Sequence, residues 1–178
     1  MEYQIIGPSR FEQIIARESA GAKFADISQT IKILKEAITH PSFLLSPLQD
    51  MIFHEKIGNI ITSSSVKSIP QQGIYFDGKQ VPFGFPGIYR ERSKKIISSH
   101  PLLKSILPPD SLQDFRCLLR KGKMGLYLEE GIDSGFKWES RIFFDIDYQD
   151  DFLSLEFDRP VYESASSNRV SYVGFLIN

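Results

Sequence analysis

Two sets of side chains in this chain have types and spacings that could do chemistry. The first is acidic. Asp145 and Asp147 are two residues apart, so they share one face if 142–148 is extended. Glu156 and Asp158 do the same in the next apolar–polar alternation. If the two strands pair with those faces aligned, four carboxylates converge. Such a group suits a hard divalent cation, Mg2+ or Ca2+, and would support a metal-dependent hydrolase. The competing reading is a solvated sheet face, kept polar by its acids.

The second set is basic. Arg90, Arg92, Lys94 and Lys95 form one cluster; Arg116, Arg120, Lys121 and Lys123 form another. On one surface they could neutralise the phosphates of nucleic acid or of anionic lipid, or meet an acidic protein. Phe83 and Phe85 precede the first cluster, in a constrained loop over 83–87, and could add aromatic contact area. Basic residues near the end of a helix also follow from its dipole alone, which is the plainer account of the second cluster.

The remaining reactive types point to no site. One cysteine cannot build a closed zinc site with His40, His54 and His100. Cys117 stands in a helical stretch beside Arg116 and Arg120, but no histidine has a motif relationship to it, and a packed thiol is the simpler reading. Gly122, Lys123, Met124 and Gly125 lack the spacing and the Ser or Thr of a phosphate loop, and no nucleophile elbow is present. No catalytic residue and no cofactor is therefore assigned. The favoured expectation is a non-catalytic interaction or structural protein. It would dock an acidic partner, or another copy of itself, through the basic, aromatic-flanked surface. A nucleic-acid-binding module and the metal-dependent hydrolase are the alternatives.

Composition sets the frame. A chain of 178 residues is long enough for one full core, so residues 1–178 read as a single domain, with an internal boundary near 108–110 at Pro108 and Pro109. The net charge of −1 hides a split, with about +7 over 51–123 and −7 over 124–178. That split steers a charged partner, or it draws two parts of one fold together. The single cysteine, the lack of a basic, apolar start and the absence of an apolar run of about 20 residues predict a soluble intracellular, cytoplasmic protein without a transmembrane segment.

The elements that must position these residues are predicted from periodicity. Tyr3 to Ile6 reads as a strand ended by Gly7 and Pro8. Ser9 with Glu12 and Asp26 with Gln29 have capping-box spacing before two helices. Ile27, Ile31, Leu34 and Ile38 make one apolar stripe. Pro47 starts a further helix reaching about Ile57, and Thr62 to Ser65 reads as a hydrophilic break. Asp77 and Gly78 mark a hairpin over 73–83. Short helices are expected over 90–99 and 101–107, and a longer one over 111–121 with Ser111 and Asp114 as its box. Strands follow at 124–128, 136–148, 152–158 and 170–177. The last is apolar on both faces and so suits a central place. The sum is an α+β domain, with N-terminal helices packed on a mainly antiparallel C-terminal β-sheet.

Overall fold

The computed structural model describes residues 2–39, 57–69, 71–80, 93–95, 101–120, 124–129, 138–147, 152–156 and 170–178. In chain order the elements are β1 (Tyr3–Ser9), α1 (Phe11–Ser19), β2 (Lys23–Phe24), α2 (Ile27–Thr39), β3 (Ile57–Ile69), β4 (Gly73–Phe76) and β5 (Lys79–Gln80). Then come β6 (Ser93–Lys95), α3 (Pro101–Ile106), α4 (Pro109–Arg120), β7 (Met124–Glu129), β8 (Trp138–Asp147), β9 (Phe152–Glu156) and β10 (Val170–Ile177). Helices and a mixed sheet make the chain α+β. The sheet runs β1-β10-β3-β8-β9-β7-β6, with β2 beside β10 and the β4–β5 hairpin continuing from β3. Most pairings are antiparallel, but β10 with β3 and β7 with β9 are parallel.

This differs from the expected arrangement. The sheet is not confined to the C-terminal part, because β1 and β3 come from the first half of the chain and flank β10. The reason lies in β3, which runs straight through the stretch expected to be a break. Thr62 and Ser64 are buried, and both have partners. Thr62 Oγ1 donates to Ile142 O at 2.7 Å, and Ser64 Oγ accepts the Ile27 N–H at 3.0 Å. Satisfied in this way, small hydroxyl side chains can sit in a core strand. The register slips between Ile61 and Ser65, and β2 fills the kink. Ala25 N–H donates to Phe175 O at 2.8 Å, while Ser63 N–H donates to Ala25 O at 2.9 Å.

Helices cover both faces of the sheet. Under α1, Ile6, Ile14, Phe24, Ile61 and Tyr172 form one buried cluster, with Phe11, Ile15 and Leu176 at its margin. Phe11 meets the Tyr172 ring edge-on, with centroids 5.4 Å apart. Ile60 and its partner Phe144 are equally buried on the opposite face. There α2 passes close to β1. Burial pushes the Tyr3 hydroxyl pKa up, and the Glu36 carboxylate adds to the rise. Ile27, Ile31 and Leu34 are buried as the stripe predicts, and Thr30 and Ile33 join them. α4 packs beside α2, burying Leu112, Phe115 and Leu118, and Asp114 forms an ion pair with Lys35.

Helix ends follow local chemistry. Asp26 and Gln29 make the expected reciprocal box, with Gln29 N–H donating to Asp26 Oδ1 at 2.8 Å and Asp26 N–H to Gln29 Oε1 at 2.9 Å. At α1 the box is displaced by one residue. Ser9 ends β1, and the Arg10 N–H donates to Gln13 Oε1 at 3.2 Å. α1 stops in a Schellman motif, in which Gly21 takes φ 95° and the Ala22 N–H reaches Arg17 O at 3.0 Å. α4 begins at Pro109, two residues before the expected Ser111, because the Pro108 carbonyl already accepts the Leu112 N–H at 2.8 Å. Asp114 is thereby released from capping to pair with Lys35. The predicted Asp77–Gly78 turn joins β4 to β5, with φ of 45° and 80°. Residues 93–95 form a strand, not part of a helix. The helix expected from Pro47 lies outside the described residues.

Candidate functional site

The basic residues come first. β6 pairs with β7 alone among the described residues, so it stands at the edge of the sheet. Lys94 lies opposite Leu128, and Lys95 opposite Tyr127. Strand alternation therefore places these neighbouring lysines on opposite faces. Following the register from Leu126 through Leu155 to Phe144 puts Leu128 and Lys94 on the face that carries α2 and α4. α4 packs against both α2 and β7. Along α4, the positions of Arg116 and Arg120 are about 200° and 240° round from Asp114. Asp114 marks the α2 side, so the two arginine positions lie on the flank towards β6. The fold thus brings the positions of Lys94, Arg116 and Arg120 to one side of the molecule and sends Lys95 to the other. Arg90, Arg92, Lys121, Lys123, Phe83 and Phe85 lie outside the described residues.

The acidic positions lie on the other face. Phe143 pairs with Glu156, Asp145 with Ser154 and Asp147 with Phe152. Asp145, Asp147 and Glu156 therefore share one face, as the alternation suggested, but they occupy three successive ranks. Asp145 is the middle one and is diagonal to Glu156. Asp158 lies outside the described residues. The same ranks continue into β3 and β10, where Asp145 faces Asn59 and Asn59 faces Tyr172. This inner part of the face is not the wet surface that an acidic strand suggests. Ile61, Asn59 and Tyr172 are all buried under the α1 side of the sheet. Asn59 is only 2% exposed, and its Nδ2 has no hydrogen-bond partner.

Arg141 stands on the same face but is committed elsewhere. Its guanidinium grips Glu18 of α1 through Nη2 to Oε2 at 2.6 Å and Nη1 to Oε1 at 3.2 Å. It also lies 5.9 Å from the centre of the Phe24 ring. This fork ties α1 to β8 and explains why Arg141 is a structural cation.

A third feature had no warning in the sequence. A cleft of about 510 Å3 opens between the start of α2, the β4–β5 hairpin and the α3–α4 junction. Lys79 and Lys104 line it together with Asp26 and Asp77. Both carboxylates hold backbone amides: Asp26 caps α2, and Asp77 Oδ1 accepts the Ser65 N–H at 2.8 Å. The Asp26 cap, the Asp77 turn and the Pro108–Pro109 pair were each legible; their convergence was not. Cys117 is half-buried on α4 and forms no disulfide. His40, His54 and His100 lie outside the described residues. Among the described residues no group of three metal-ligating side chains occurs, and no helix is long and apolar enough to cross a membrane. Compared with known proteins, the chain matches no family model, no curated protein and no solved structure.

Proposed function

We propose that this protein is a non-catalytic docking module that engages an acidic protein surface through the β6–α4 side. One observation carries the reading: the register of β6 on β7 sets Lys94 on the face of α4, next to the flank that holds Arg116 and Arg120. Three cationic positions from segments over twenty residues apart then act on one partner surface. Like charges gathered at an edge raise the encounter rate with an anionic partner and repel a basic one. They also blunt the open strand edge against indiscriminate pairing. Lys95, on the opposite face, takes no part.

Titration of poly-L-glutamate, single-stranded DNA and duplex DNA at 50 and 200 mM NaCl tests the reading. Sedimentation of the protein alone at both salts reports pairing of copies. Poly-L-glutamate should bind at low salt and weaken by roughly tenfold at high salt, as exposed charge pairs are screened. The double substitution Lys94→Glu and Arg120→Glu should abolish that binding without changing the melting temperature. Absence of binding at 50 mM NaCl refutes the proposal. Tighter binding of either DNA, with a steep salt slope, replaces it with nucleic-acid recognition.

A further inference from the structure

The carboxylate face supports a separate inference, which does not rest on the basic edge. Asn59, Asp145 and Ser154 form one continuous rank across β3, β8 and β9. Glu156 is diagonal to Asp145, a separation that long side chains span on a sheet surface. Three acidic positions on adjacent ranks repel one another unless a cation or a proton intervenes. The second observation is independent of the acids. Asn59 is 98% removed from solvent, counting from its 2% exposure, and its Nδ2–H groups find no acceptor. An orphaned buried amide is rare and costly in a native protein, and an ion or water absent from the coordinates is a standing explanation. Its nearest cross-strand neighbour on that face is Asp145.

We propose that Asp145 and Glu156 hold a hydrated Mg2+ ion, with Asn59 as a positioning residue that donates to the Asp145 carboxylate. Mg2+ fits better than Ca2+, because Mg2+ sites commonly use one or two carboxylates and keep several waters, whereas Ca2+ asks for six to eight oxygen ligands. The amide would act as metal-site outer partners do, fixing the orientation of a ligating carboxylate and raising affinity. The ion would cancel the mutual repulsion of the acids and give the Asn59 amide its acceptor.

The test uses the full chain, freed of metal with EDTA. Mn2+ serves as the spectroscopic probe and Mg2+ as competitor. One Mn2+ should bind per chain by electron paramagnetic resonance and be displaced by Mg2+. Mg2+ at 100 times its dissociation constant should raise the melting temperature by about 5–10 °C. Asp145→Asn and Glu156→Gln should each weaken Mn2+ binding at least tenfold, and Asn59→Leu by about 10- to 100-fold without lowering the melting temperature of the metal-free protein. Lys94→Glu should leave binding unchanged, which separates this site from the docking edge. Should a variant fail to fold, wild-type NMR still decides. Bound Mn2+ must broaden the Asn59 side-chain amide signals before those of any other asparagine. No Mn2+ bound at millimolar concentration, an Asn59 signal left sharp, or full binding retained by folded Asp145→Asn, Glu156→Gln protein would overturn the proposal.

Discussion

Gly174→Ala probes the packing on which the placement of every site residue depends. Gly174 lies in β10 between β1 and β3, on the α1 face of the sheet. A Cβ built there would overlap Phe24 Cε1 and sit 2.9 Å from Cδ1 and 3.3 Å from Ile6 Cγ1. Phe24 is 2% exposed and Ile6 8%, so neither ring nor side chain can swing into solvent. The Phe24 ring also supports the Arg141 guanidinium, so pushing it disturbs the Glu18 fork. Overpacking of this kind costs about 1–3 kcal/mol. For a chain of this length that is a fall in melting temperature of about 2–12 °C. Thermal unfolding followed by circular dichroism measures it. The second arm is Phe24→Leu, which alone should destabilise by leaving a gap, but which in the Gly174→Ala background should recover part of the loss. The two changes must be non-additive, because their atoms touch. Strict additivity, or a Gly174→Ala protein as stable as the wild type, would refute the β1–β10–β3 arrangement with β2 folded over it.

Two further substitutions test the other face and the helix layer. Thr62→Val keeps the shape of a buried side chain but leaves Ile142 O without its 2.7 Å donor, so urea unfolding should show a loss of about 1–2 kcal/mol with an unchanged slope. Lys35 has its pKa raised above the ordinary 10.5, first by its hydrogen bond to Asp114 and then by that residue's charge. A raised folded-state pKa stabilises fully below the unfolded value and loses that effect as pH climbs through the folded one. The melting-temperature difference between wild type and Asp114→Asn should therefore be flat from about pH 7 to 9 and close only above pH 10.5.

Local features of this chain were legible from its residues because their causes are local. The Asp26–Gln29 box, the Asp77–Gly78 turn, the buried face Leu112–Phe115–Leu118 and the alternation along β8 each depend on neighbours within a few positions. Even the central place of β10 could be read, since residues apolar on both faces suit a strand buried on both. What the residues could not declare was partnership across the chain. Thr62 and Ser64 look like a polar break until Ile142 O and the Ile27 amide satisfy them, and only then does β3 become the strand that joins the two halves of the sheet. Pairing decided the candidate sites as well. Lys94 and Lys95 are adjacent in sequence yet part company at the edge of the sheet, while Asp145 gains Asn59 as a neighbour from 86 positions away. Hydrogen-bond register, a property of two strands together, assigns each side chain to a face, and no single stretch of sequence contains it.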